Sequence, residues 1–338
     1  MPNNKHHRHN RIQGHATACL CVVVVILLLL AGCQRSGEEV HFHRLDRLLF
    51  TTPPERLQEV LLSHRDEFAT DLIRIYPNDP EYIVWVQGFV TDPTMQDIYR
   101  TTDSLFGNLG GVERQLGRAL ARARKCCPEM VLPSRFYTMV TGDYDNYDNR
   151  VFTGGSGSDL CVALDLYALG TMKRYAYFGI PHHITRLCVP DQLVPDCMRA
   201  MAADNIAWPE SGQTLLDYAV AEGKVLYFVE QTLPHLADTT LLRYTADQLQ
   251  WMRDNTSNVW GWILQNKMLY STDMTQLRNL LDDAPHTNAF GAGSAPRTAT
   301  YIGWQIVRSY MKRSGATMQE LFANTDSQQI LTASAWRP

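Results

Sequence analysis

The sequence has no Cys-x-x-Cys, no His-x-x-x-His, no internal repeat and, beyond its first 15 residues, no block of basic residues. Each absence removes a class of function. A zinc peptidase of the His-Glu-x-x-His kind needs two imidazoles one helical turn apart, with a glutamate beside the first. From position 33 onward the histidines are His41, His43, His64, His182, His183, His235 and His286, and none has a partner four residues away. Without paired Cys-x-x-Cys there is no dithiol redox motif or thiolate zinc site. Without a basic block, nothing marks the chain for nucleic acid. Only one long apolar run occurs, so nothing suggests several membrane spans.

That run is the first feature present. Residues 5–15 are basic, and residues 16–31 are apolar and uncharged. The run ends in Leu30-Ala31-Gly32-Cys33, which matches a bacterial lipobox. A leader over 1–32 is expected, with Cys33 taking the lipid. The run is shorter than the roughly 20 residues of a membrane span. A triacylated Cys33 would hold the body stably, where one chain alone is marginal. Removing Lys5, Arg8 and Arg11 with the leader leaves 28 basic against 35 acidic residues, a mildly acidic body. Five cysteines then remain: Cys126, Cys127, Cys161, Cys188 and Cys197. An exported compartment permits disulfides, and an odd count leaves at least one thiol unpaired. Cys188 and Cys197 are the plausible pair; the connectivity stays open.

A tether is expected over 33–40, then one helix-rich domain over 41–338. Helical spacing runs from His41 to Tyr76, broken at Thr-Thr-Pro-Pro-Glu, and again from about 95 to 125, with a possible break at 107–111. Residues 79–93 read either way. The texture changes over 131–170, where 135–142, a segment from Arg150, and 159–169 read as strands. Helical patterns return over 190–325, at 192–204, 212–234, 245–268, 274–281, 299–313 and 317–323. Helices, a small central sheet, then helices make the fold class α+β. The glycine-rich stretch at 153–159 reads as a hairpin turn, and the acidic 143–149 as a polar turn. The long loop at 285–296 is either flexible or draped over a site.

Within the helix over 214–228, Asp217, Lys224 and Gln231 form a polar stripe, and Glu222 falls almost opposite. It is expected to point inward, protonated or held by hydrogen bonds from backbone or a tyrosine, because an unpaired buried carboxylate is costly. Asp165 interrupts an apolar strand. If its face meets the Glu222 helix, two carboxylates converge and acid–base chemistry becomes conceivable. The plainer reading has Asp165 facing water or capping a backbone. Tryptophans and tyrosines of the C-terminal half, among them Tyr301, read as core or as the lining of a groove.

Several segments together resemble one family. They are "HRLDRLLF", "FYTMVTGDYDNYD", "LCVALDLYALG", "LLDYAVAEGKVLYFVEQTLP", "YTADQLQWMRDNTSNVWGWI", "MLYSTD" and "YIGWQIVRSYMKRSG". In this order they look like the gliding-motility lipoprotein B (GldB-like) family of Bacteroidota. The resemblance implies a Gram-negative cell-envelope lipoprotein, anchored at Cys33 on the periplasmic face of either membrane. It would serve gliding motility and type IX secretion through contacts with machinery proteins. More distantly, "EGKVLYF" and "TYIGWQIV" are similar to predicted zincin-like zinc peptidases. That similarity puts Glu222 at the third zinc-ligand position, with Tyr301 and Gly303 in the final helix. The helix over 193–208 lacks both imidazoles and the glutamate. The reading is therefore a zincin-like scaffold, a pseudo-peptidase with no metal or cofactor and with Glu222, Asp165 and Tyr301 as vestigial cleft residues. The alternative is a hydrolase or a peptide- or glycan-binding protein using a cleft around Glu222.

Overall fold

The structure, a computed structural model, describes residues 37–338 apart from 69, 71, 148, 155–156, 172–178 and 211. The leader and Cys33 lie outside the described residues. Four strands form one mixed sheet: β1 (Phe42–Arg44), β2 (Arg135–Met139), β3 (Val151–Gly154) and β4 (Asp159–Ala163), in the order β1-β2-β4-β3. β1, β2 and β4 are parallel, and β3 returns antiparallel to β4 with Gly154 opposite Asp159.

Among the described residues, six α-helices precede the second strand: α1 (Leu45–Thr51), α2 (Leu57–Ser63), α3 (Arg65–Phe68), α4 (Pro80–Thr91), α5 (Pro93–Phe106) and α6 (Gly110–Cys126). Ten described α-helices follow the sheet: α7 (Leu164–Ala168), α8 (His182–Thr185), α9 (Leu193–Asn205), α10 (Leu215–Thr232), α11 (Asp238–Leu242), α12 (Ala246–Gln265), α13 (Met274–Leu281), α14 (Thr298–Ser314), α15 (Met318–Ala323) and α16 (Ser327–Ser334). The protein is helix-rich α+β.

The sheet is covered on both faces, as a parallel sheet requires. The register Phe42, Phe136, Leu160 carries one face into the large core shared with α6, α9 and α10. Tyr137 and Cys161, one residue on, point into a second cluster with Leu61, Phe68 and Ile83 from α2, α3 and α4. That alternation is the pleat of a strand with period two.

Capping residues set several helix starts. Asp79 accepts from the backbone N–H groups of Glu81 and Tyr82, with Pro80 opening α4, which makes the ambiguous 79–93 a helix. Reciprocal boxes, Thr214 with Asp217, Thr245 with Gln248 and Thr317 with Glu320, begin α10, α12 and α15.

Four expectations need correction. The strand expected over 159–169 stops at Ala163 and continues as α7, because a doubly buried strand and a buried helix present the same unbroken apolar run. Residues 42–44, read as the start of a helix, form the edge strand β1 instead. The tether expected to reach residue 40 is docked sooner: Glu38 donates its N–H to the Gly117 carbonyl at 2.9 Å, and Val40 is buried. Cys188 and Cys197, the plausible disulfide pair, are both buried with no disulfide between them, and the Cys188 thiol donates to the Ile184 carbonyl at 3.4 Å.

α10 runs through the centre of the C-terminal half, packed against α9, α14 and α6. Its approach to α14 is close enough to require glycine. A Cβ on Gly303 would run into the Ala219 carbonyl, and one on Gly223 into the Gly303 carbonyl. The glycines of "EGKVLYF" and "YIGW" therefore have a packing role: they let two backbones touch. Among the described residues no helix is long and apolar enough to cross a membrane.

Candidate functional site

The site is built from α9 outward. Asp196 and Arg199 lie one turn apart on that helix, both buried. The Asp196 carboxylate is buried and receives three guanidinium groups. Arg243 Nη2 lies 2.8 Å from Oδ1, Arg199 Nη1 3.0 Å from Oδ1, and Arg150 Nη2 3.2 Å from Oδ2. The Tyr167 hydroxyl also donates to Oδ2, at 3.1 Å. Burial opposes ionisation of this carboxyl, but Arg243, Arg150 and Arg199 outweigh it and hold it far below the usual carboxylate range.

Arg243 carries the network onward, reaching Asp283 Oδ2 at 3.3 Å. Arg297 Nε lies 3.8 Å from the other Asp283 oxygen, and its Nη2 donates to Glu222 Oε2 at 3.1 Å. Burial raises the Asp283 carboxyl, while Arg297 and Arg243 more than reverse that and lower it. Arg199 is compensated least: burial and the neighbouring Arg243 push its guanidinium down, to about 9. It still carries its charge at neutral pH. Its Nη2 also donates to the Leu241 carbonyl, and to the Thr240 carbonyl at 3.3 Å.

Two arginines hold unusual backbone. Arg243 closes α11 at φ 58°, and Arg297 precedes α14 at φ 51°. The left-handed region disfavours residues with a Cβ. The loop over 285–296 delivers Arg297 and is tied down internally. Thr287 bonds through N and Oγ1 to the Ala295 carbonyl, and Ser294 Oγ donates to the Gly291 carbonyl at 2.7 Å.

These side chains border two similarly open, adjoining compartments that share Glu222, Arg243 and Arg297, the larger called outer and the smaller inner. The outer, about 570 Å³, is lined by Tyr147, His183, Tyr218, Asp282 and Asp283 with Glu222, Arg243 and Arg297. The inner, about 260 Å³, is lined by Arg150, Asp196, Arg199, Ala200 and Ala203, again with Glu222, Arg243 and Arg297.

The three expected cleft residues do not share this place. Glu222 lines both compartments, but its side chain is 43% exposed and its partner is Arg297, not backbone or a tyrosine. The expected phase is reversed in part. Lys224 of the supposed polar stripe is buried, donating to the Asn324 carbonyl at 2.6 Å. A helix enclosed on nearly every side has no polar face for such a stripe to mark.

Asp165 sits at the start of α7, fully buried, and lines neither compartment. It clasps the turn after β2, accepting from the N–H of Thr141 at 3.1 Å and of Gly142 at 2.9 Å, where Gly142 takes φ 63°. Tyr301 is buried against Trp304, ring centroids 5.9 Å apart, and lines neither compartment. Among the described residues no three His, Cys, Asp or Glu side chains form a group that could hold a metal ion.

Sequence reasoning passed over the arginines. One signal was present: Asp196 and Arg199, spaced three apart inside the apolar run of "LVPDCMRAMAA". Two charges at helical spacing on a buried face mark an internal ion pair.

No curated protein and no solved structure matches the chain. The family model described as gliding motility protein GldB matches residues 34–338, so the helix-rich body with its arginine-lined cavity belongs to the gliding motility protein GldB family.

Proposed function

We propose that this chain is a lipid-anchored component of the cell envelope, held by acyl chains at Cys33. On this reading it is a non-enzymatic accessory of gliding motility and type IX secretion, acting through contacts with machinery proteins on the periplasmic face. Family membership supports the envelope and motility part. The observation that carries the non-enzymatic part is the ion-pair lattice around the cavity. Asp196, Asp283 and Glu222 are each committed to arginines. Asp196 and Asp283, stabilised as anions by those guanidinium groups, are weak general bases and hold no proton to give. The hydrolase alternative needs Glu222, Asp165 and Tyr301 together, and the latter two face elsewhere. The cavity favours binding over reaction.

The test is made in cells. Strains carrying a gene deletion, Cys33→Ala or Glu222→Gln are scored for colony spreading and for export of secreted cargo, and the wild-type protein is co-purified with secretion-machinery subunits. Loss of both functions in the deletion and Cys33→Ala strains, with Glu222→Gln near wild type, is expected. A deletion that leaves motility and export intact would overturn the role.

A further inference from the structure

The charges lining the cavity are unevenly divided. Among the described residues, the inner compartment has four arginines, Arg150, Arg199, Arg243 and Arg297, against two carboxylates, Asp196 and Glu222. The outer has three carboxylates, Glu222, Asp282 and Asp283, against the shared Arg243 and Arg297 and the imidazole of His183, with the phenols of Tyr147 and Tyr218 beside them. Cation is in excess in the inner compartment.

Asp283 answers part of that excess, 3.3 Å from Arg243 and 3.8 Å from Arg297, and an anion in the cavity would answer the rest. The guanidinium groups also have unused donors: Arg150 Nε, Arg199 Nε, Arg243 Nε and Arg297 Nη1 are buried without a hydrogen-bond partner. The Arg150 and Arg297 side chains are only 3% and 8% exposed. Backbone geometry is a second, independent sign. Arg243 and Arg297, the two arginines common to both compartments, are both in left-handed conformation. Strain of that kind persists where the surrounding structure enforces it, and it concentrates at ligand sites.

Planar guanidinium forks match the paired oxygens of a carboxylate or phosphate. The outer carboxylates and phenols accept hydrogen bonds, so they suit hydroxyl groups. The outer volume falls in the roughly 300–1,000 Å³ range of small-molecule sites, and its polar lining suits a hydrophilic occupant.

We infer that the cavity binds an acidic sugar, its oxyanion seated among Arg150, Arg199, Arg243 and Arg297 and its hydroxyls on Glu222, Asp282 and Asp283. This rests on the reading of the cavity as a cleft that binds rather than reacts. Carboxylate and phosphate share the required chemistry, and the choice of probe separates them.

The full-length protein in detergent is titrated calorimetrically with glucuronate, glucose 6-phosphate, inorganic phosphate and glucose. One of the two acidic sugars is expected to bind saturably, at least tenfold tighter than phosphate, with glucose silent; whichever binds names the oxyanion. Ala200→Leu and Ala203→Leu add bulk to the inner lining from half-buried and exposed positions of α9 without removing a charge. Each should weaken binding at least tenfold while leaving the unfolding temperature within a few degrees. Failure of both sugars to bind saturably, or unchanged affinity in a folded Ala200→Leu or Ala203→Leu protein, would overturn the inference. Either result leaves the motility and export phenotypes untouched, so the envelope role stands or falls separately.

Discussion

Arg297 Nη2 lies 3.1 Å from Glu222 Oε2, joining the loop before α14 to the middle of α10, and the two partners are unequally buried at 8% and 43% exposed. The inequality predicts unequal costs. Glu222→Gln removes a half-exposed charge and should cost about 0.5–1 kcal/mol, as a surface pair does. Arg297→Gln also strips Asp283 of a cation inside the protein and should cost about 3 kcal/mol. Urea unfolding of both variants measures the ratio. Equal costs would mean that Glu222 is as buried a strut as its partner.

Asp196 is the single carboxylate shared by Arg243, Arg199 and Arg150. Asp196→Asn leaves three guanidinium groups facing one another and should cost about 3–5 kcal/mol. The acid limb of the stability curve should change as well. With its folded-state pKa depressed, Asp196 contributes stability that is fully present above the ordinary carboxylate range and is lost as pH falls through it. Below about pH 4, where free aspartates titrate, wild type should lose stability more steeply than Asp196→Asn. Parallel acid limbs would show that the pairing does not hold the carboxyl down.

Gly303 sets how closely α14 can approach α10. Gly303→Ala drives a methyl into the Ala219 carbonyl, and neither backbone can retreat without disturbing the core on its far side. Overpacking of this kind costs about 1–3 kcal/mol or more. The melting temperature should fall by several degrees, while Gly261→Ala, at a helical position with open space around it, should hold or raise it.

Lys224 is buried, and burial lowers its pKa to about 8. Between that value and the ordinary lysine value near 10.4, the unfolded chain holds a proton that the folded protein has released. Stability should therefore rise as pH increases from about 8 toward 10. Lys224→Met removes the ionisation, and its chemical-denaturation midpoint should be flatter over the same window. An identical slope in the two proteins would assign the effect elsewhere.

Asp165 separates charge from hydrogen bonding. Burial raises its carboxyl above the ordinary range, and the Thr141 and Gly142 N–H groups only partly restore it. Asp165→Asn drops the desolvated charge but keeps one acceptor oxygen for two N–H groups that bond to different carboxylate oxygens, so a loss of about 1–3 kcal/mol is expected, from the one donor left unanswered. Asp165→Ala strands both donors and should cost about 1–3 kcal/mol for each. An Asn variant as unstable as the Ala variant would mean that the charge itself holds the turn.

The α+β class and the C-terminal helices α9, α10 and α12 to α15 were legible in the amino-acid sequence to within a few residues. Their signals are local: apolar spacing near 3.6, and capping pairs such as Thr214 with Asp217 that lie three residues apart. β1 was not legible, because three residues become a strand only by pairing with Phe136–Thr138, more than ninety positions away. α16 escaped for want of a strong apolar stripe. The inward tilt of Glu222 was half right. Helical phase gives an angle around the axis, and neighbouring helices decide which angles are covered. The arginine lattice was the hardest to read. Arg150, the Asp196–Arg199 pair, Arg243 and Arg297 come from four places in the chain, and beyond that pair each alone resembles an ordinary surface charge. By itself the sequence determined the helices, the lipobox and the family motifs, all carried by neighbours in the chain. Only the tertiary structure decided that four arginines and four carboxylates would meet at one cavity, because burial and charge pairing are properties of side chains brought together from afar.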